Sequence, residues 1–260
     1  MNLCELTLTE AAEAVREGRI TSRALVEAAL ERIEQWQPVI NAFVSVQAET
    51  ALAAADRADA AVRRGGSLGQ LHGVPLAHKD MFFRPGRRSS MGSRAAPPAG
   101  DVLSTVLARL DAAGAIELGS LNMAEFALGP TGHNAYVGDC RNPWNPDYVA
   151  CGSSSGSGAA VGARLAWGSF GSDTGGSVRL PASACGVLGL KPTNGRISLA
   201  GMMPLAPSVD VPGILGRSAR DVARLLGVVA GHDPADARSS RRPTPHYESG
   251  LERGIAGLRI

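Results

Sequence analysis

Residues 167–179 read WGSFGSDTGGSVR, and the change of character inside this stretch organises the rest of the chain. WGSFGSD is a short run of small and apolar residues, the pattern of a buried strand. It breaks at Asp173 into two adjacent glycines, Gly175 and Gly176, followed by Ser177 and Arg179. Glycine lets the backbone turn where a side chain would obstruct it, so several N–H groups can converge near the Ser177 hydroxyl. Such a convergence suits a developing oxyanion, and a phosphate nest is the rival use of the same geometry. Against the rival, GSDTGGS lacks the G-x-x-x-x-G-K-[ST] order of a nucleotide loop, and GSGAAVG at 156–162 misses the G-x-G-x-x-G spacing.

Immediately upstream, CGSSSGSG at 151–158 opens a small-residue helix predicted over 155–165, presenting free backbone N–H groups together with hydroxyls. It also contains G-x-S-x-G at 152–156, formally the nucleophile elbow of an α/β-hydrolase with Ser154 as nucleophile. An elbow needs a downstream acid and then a histidine, and only His232 and His246 remain, in a segment that reads as loop. Further upstream, GVPLAHK at 73–79 is an apolar run bounded by glycine and charge, the signature of a buried strand. It ends on Lys79, and of the 26 basic residues only Lys79 and Lys191 are lysines. Arginine keeps its proton in proteins, whereas a desolvated lysine can lose it and act as a base. Pairing with Asp80, or extension to solvent, is the structural alternative for Lys79.

The flanks define the fold class. Thr7 and Glu10 form a capping box for a first helix ended by Gly18, Ser22 caps a second running to Pro38, and residues 47–64 form a third closed by Gly65 and Gly66. This predicts an all-helical start. Strand and helix then alternate: helix at 101–113, strands at 114–119, 167–173 and 186–191, and helix at 218–230. The expected architecture is α/β, a mixed β-sheet covered by helices, with residues 1–66 as an N-terminal helical segment and 67–230 as the catalytic core. Residues 231–250, polar and proline-bearing, read as an exposed connection. Ile255, Leu258 and Ile260 in 251–260 read as the start of a buried strand belonging to a missing C-terminal half.

Composition narrows the function. With 260 residues, 44% hydrophobic content and a formal charge of +2, the chain can bury a sizeable core and carries no electrostatic footprint for nucleic acid or an acidic membrane. The start MNLCELTLTE lacks a secretory pattern and no apolar run approaches the roughly 20 residues of a membrane span, so a cytoplasmic location is expected. The four cysteines contain no C-x-x-C pair and the five histidines no H-E-x-x-H, so neither a metal nor any other cofactor is expected, and the thiols read as buried and structural.

Taken together, GVPLAHKD, GSLNMAEFALG, RNPWNP, CGSSSGSGAAVGA and GSDTGGSVRLPASACGVLGLKPTNGRIS resemble the amidase signature family across nearly the whole chain. The two serine blocks, with Ser153 and Ser177 standing 24 positions apart, make the resemblance specific. It implies a Ser/cis-Ser/Lys triad with Ser177 as nucleophile, Ser153 as bridging serine after a cis peptide from Gly152, and Lys79 as base. It implies an oxyanion hole at Thr174, Gly175, Gly176 and Ser177, with Ser154, Asp173 and Arg179 in support. Cys151, Ser155 and His78 depart from the usual pattern. The resemblance leaves three readings: an amidase acting on a small-molecule amide, the glutaminase component of an aminoacyl-tRNA amidotransferase working with partner subunits, and an inactive truncated fragment.

Overall fold

The structure, a computed structural model, describes residues 2–257 and 259. Its frame is a mixed six-stranded sheet in the order β1-β3-β2-β4-β6-β5. The strands are β1 (Phe43–Val46), β2 (Pro75–Lys79), β3 (Ile116–Leu121), β4 (Ser169–Ser172), β5 (Leu188–Leu190) and β6 (Pro212–Gly216). The three central strands β3, β2 and β4 run parallel, and β1, β6 and β5 pair antiparallel outside them. Ala77 stands opposite Ser169 and His78 opposite Phe170, so the C-terminal ends of β2 and β4 finish side by side. In open parallel sheets, this is the edge where ligands bind.

Among the described residues, seven α-helices cover the sheet: α1 (Leu8–Arg16), α2 (Ser22–Ile40), α3 (Ala48–Arg64), α4 (Thr105–Ala112), α5 (Ser155–Gly162), α6 (Arg179–Ala184) and α7 (Ala219–Val229). The Thr7–Glu10 capping box forms as expected, each side chain accepting from the other residue's N–H. The second cap differs from the expectation: Thr21 caps α2, and Ser22 is its first helical residue. The Ser22 and Arg23 N–H groups instead donate to the buried Asp59 carboxylate of α3 at 2.7 and 3.1 Å. A carboxylate against a helix N-terminus satisfies orphan donors and complements the dipole, and here it also locks α2 to α3. Pro38 lies inside α2, which continues to Ile40 and closes on left-handed Asn41. Asp221 of α7 accepts the Thr9 N–H and hydroxyl, tying α7 to α1 across 212 residues of sequence.

Two further expectations need correction. The N-terminal segment is not all helical, because β1 intervenes between α2 and α3 and pairs with β3. Helix α4 begins at Thr105 rather than near residue 101, leaving the apolar Val102 and Leu103 outside it and exposed. In the segment expected to begin a further strand, Leu251–Arg253 form a 3-10 turn and Ile255 is 71% exposed. Leu258 and Ile260 lie outside the described residues. Residues 231–250 are exposed at most positions, yet they are anchored by buried Asp233, Asp236 and Ser239. Asp233 accepts the Ser198 and Thr105 hydroxyls at 2.5 and 2.6 Å.

The core runs from α1–α3 through the sheet to α7, with Trp167, Phe82, Phe170, Leu118 and Leu121 wholly enclosed. Helix α5 lies against β2, β3, β4 and β6 and is made entirely of Ser, Gly, Ala and Val, so its backbone can approach the strands closely. Cys4, Cys140 and Cys185 are buried free thiols and Cys151 is half-buried. Burial pushes Cys185 up to about 12, leaving it an inert packing residue.

Candidate active site

Lys79 is the last residue of β2 and is wholly buried. Its Nζ donates to Ser153 Oγ at 2.7 Å and to Ser172 Oγ, at the end of neighbouring β4, at 2.9 Å. Burial penalises the ammonium and lowers its pKa from 10.5 to about 7, against the opposing pull of the Asp173 and Asp210 carboxylates. A lysine so placed is neutral in a large fraction of molecules near neutral pH and can then accept a proton from a hydroxyl within hydrogen-bond reach.

Ser153 is buried in the loop before α5, held by its carbonyl, which accepts the Ala124 N–H at 3.0 Å. The Gly152–Ser153 peptide bond is cis. Ser154 faces β4: its hydroxyl donates to the Ser172 carbonyl and accepts the Ser172 N–H, both at 3.3 Å. A Cβ added at Gly171 would stand 2.5 Å from that hydroxyl, so the serine loop reaches the strand only because position 171 is glycine. The Ser154 N–H donates to the Ser177 carbonyl at 3.1 Å, joining the two serine loops through their backbones. The Ser154 hydroxyl bonds to no histidine among the described residues, unlike an elbow nucleophile.

Ser177 is half-buried, and among the described residues its hydroxyl makes no hydrogen bond to Ser153 or Lys79. Its loop is built around buried Asp173. One carboxylate oxygen accepts the Gly176 N–H at 2.9 Å and Arg179 at 2.9 Å. The other accepts the Val178 and Arg179 N–H groups at 3.1 and 3.3 Å and Arg179 Nε at 3.0 Å. Burial alone would raise the Asp173 pKa, but Arg179 and the two backbone donors outweigh it and hold the group at about 2. The permanently charged carboxylate thus shapes the turn. It also takes one of the four expected oxyanion donors, Gly176 N–H. The N–H groups of Thr174, Gly175 and Ser177 donate to no protein acceptor among the described residues.

Sequence reasoning missed three neighbours. Ser172 shares the Lys79 ammonium, but a serine next to Asp173 carries no spacing signal. Asp210 is buried, with the Thr174 hydroxyl donating to it at 2.5 Å. It sits far downstream in a segment that reads as turn. Lys191 donates to the Thr174 carbonyl at 3.1 Å, and its scarcity as a lysine was the available signal. The His78 ring stands between the Lys79 carbonyl, 3.1 Å from its Nδ1, and the Glu117 carboxylate, 3.2 Å from its Nε2, which Arg84 and Arg87 also contact. No group of three or more His, Cys, Asp or Glu side chains able to hold a metal occurs among the described residues. No helix there is long and apolar enough to cross a membrane.

The chain as a whole is similar to known proteins. The amidase family model matches residues 24–260. The chain is 48% identical over 255 residues to the A component of the glutamyl-tRNA(Gln) amidotransferase of Halorhodospira halophila, covering 98% of this chain and 52% of that one. The chain therefore spans about half the length of the curated relatives it matches. Among solved structures, it superimposes with a TM-score of 0.93 and 42% identity on a protein of a vestigial complex tied to the origins of an s-triazine catabolic enzyme, over 98% of this chain and 56% of that one. The peptide amidase of Stenotrophomonas maltophilia gives a TM-score of 0.87 at 33% identity, over 94% of this chain and 52% of that one.

Proposed function

The chain belongs to the amidase family, and from that premise we propose that it cleaves a carboxamide C–N bond through an acyl-enzyme on Ser177. The observation that carries the proposal is the desolvated Lys79 ammonium 2.7 Å from the Ser153 hydroxyl, one loop from Ser177. In the proposed reaction, neutral Lys79 accepts the Ser153 proton, Ser153 accepts the Ser177 proton, and Ser177 Oγ attacks the amide carbonyl. The Ser177–Ser153 contact tightens when substrate is bound, as catalytic hydrogen bonds commonly do. The free N–H groups of Thr174, Gly175 and Ser177 receive the oxyanion, while Gly176 N–H stays committed to Asp173. Collapse of the tetrahedral intermediate breaks the C–N bond, and the relayed proton leaves with the nitrogen. Water, deprotonated by the same relay, then hydrolyses the Ser177 ester and releases the acid.

A fluorophosphonate probe tests this assignment. Labelling at Ser177 that disappears in Ser177→Ala is the expected result, and labelling at Ser154 overturns it. The identity to the glutamyl-tRNA(Gln) amidotransferase component favours a second reading, in which the amide is that of glutamine and the chain works with amidotransferase subunits. Ammonia release that appears only on adding those subunits and charged tRNA selects that reading. Release from simple carboxamides by the chain alone selects the first.

A further inference from the structure

The glycine turn before Ser177 carries free N–H groups, but nothing in its own sequence dictates where they point. Thr174 is gripped from two sides. Its hydroxyl donates to the buried Asp210 carboxylate at 2.5 Å, and its carbonyl accepts from Lys191 Nζ at 3.1 Å. Both grips are themselves fixed. The second Asp210 oxygen accepts the Leu205 and Ala206 N–H groups, each at 2.9 Å, and Lys191 Nζ also stands 3.6 Å from Asp173 Oδ1.

In a trans peptide the C=O and the following N–H point in opposite directions. A lysine that fixes the Thr174 carbonyl therefore fixes the direction of the Gly175 N–H, one of the free donors. Gly175 makes the need for this evident. A Cβ added there would meet no atom within 4 Å, so packing does nothing to hold the peptide in place. Glycine on one side and open space beyond it leave the Thr174–Gly175 peptide free to rotate unless its oxygen is held. A lysine suits the task because its compact ammonium can serve the carbonyl and the Asp173 carboxylate from one point.

We propose that Lys191 and Asp210 form a clamp on Thr174 that positions the oxyanion-binding N–H groups, with Lys191 setting the Gly175 donor and Asp210 the Thr174 residue that precedes it. Both are positioning residues and touch no reacting atom. The inference rests on the amide-cleavage reading above, and its test separates the two.

The experiment compares Lys191→Met and Thr174→Val with wild type, in the same assembly in which the wild-type protein is active. Removing one oxyanion donor costs about 10² to 10³ in rate, so a misdirected donor in Lys191→Met should lower kcat about 30- to 100-fold. KM should stay within about twofold, because the donors act on the transition state. Affinity for a boronic acid, which forms a tetrahedral adduct on the serine, should fall in parallel with kcat. Thr174→Val, which keeps the N–H and loses the tie to Asp210, should show a smaller loss of the same pattern. A rise in KM at unchanged kcat overturns the clamp. A crystal structure of Lys191→Met decides it without turnover: a rotated Thr174–Gly175 peptide is expected, and an unchanged one refutes it. If wild type and Ser177→Ala are equally inactive toward every amide, the reaction assigned above fails while that structure still judges the clamp.

Discussion

Lys79 yields a prediction whose size follows from its burial. In the folded protein its pKa is about 7, against 10.5 for the ordinary side chain, because desolvation disfavours the ammonium more than Asp173 and Asp210 support it. If neutral Lys79 is the base, kcat/KM for carboxamide hydrolysis should reach its plateau above about pH 7 and fall about tenfold per unit below it. Stability should respond in the matching direction. Below about pH 7 the lysine is protonated both folded and unfolded, and the full penalty of the buried charge is present. Between about 7 and 10.5 only the unfolded chain holds the proton, so stability rises with pH, and above 10.5 the dependence ends. At about 1.4 kcal/mol per unit, a pKa lowered from 10.5 to about 7 amounts to roughly 5 kcal/mol over that window.

Urea unfolding of wild type and Lys79→Met at several pH values isolates this contribution, since every other titration is common to both. The gap between them should change by several kcal/mol in favour of wild type between about pH 7 and 10. The rate profile from pH 5 to 9 should have its midpoint near 7. A constant gap, together with a rate midpoint above about pH 9, would refute the claim that burial prepares this lysine as a base.

Two further outcomes follow from the Ser177 loop. Asp173→Asn removes the charge that accepts five hydrogen bonds, and because Arg179 is half exposed the loss should be about 2 to 3 kcal/mol in urea unfolding. The depressed Asp173 pKa stabilises the fold above its ordinary value of 3.8 and loses that effect as pH falls toward about 2, so wild type and Asp173→Asn should converge in acid. Gly175→Ala should fold with stability within about 1 kcal/mol of wild type, since the added methyl meets nothing and the backbone is not left-handed. Its turnover should nevertheless drop, and unchanged turnover would mean that the open space beside Gly175 receives no substrate.

The parts of the fold legible in the sequence are those where local pattern and tertiary demand agree. The Thr7 capping box, the strand ending at Lys79 and the small-residue helix after Ser154 each announce themselves by residues that have no better use elsewhere. The misses have identifiable causes. Strand β1 is four residues long between two helices, too short for its alternation to stand out. Strand β6 reads PGILG, and its glycines and leading proline speak for a turn, although proline is tolerated at the first residue of a strand. Helix α6 is hidden in the same way by Pro181, which sits in its first turn, where the missing N–H has no intrahelical partner to lose. At the start of α4 the error runs the other way, since Val102 and Leu103 continue an apolar pattern into exposed loop.

The two lysines show where residue type stops being informative about the site. Against so many arginines, both positions stand out as places where the chain keeps a compact ammonium in place of a planar guanidinium. Composition cannot separate them further, because the same side chain does opposite things in different surroundings. Lys79 is enclosed at a strand end with hydroxyl partners, so its charge is penalised and its proton becomes transferable. Lys191 stays 26% exposed and donates to a backbone carbonyl beside a carboxylate. What separates the two is the neighbours each one meets, and one neighbour of each, Ser172 for Lys79 and Thr174 for Lys191, lies on either side of Asp173 in the stretch that also holds Ser177. That single turn therefore meets one lysine on each side, and if the proposed base and clamp hold, a change in either lysine should be felt at Ser177.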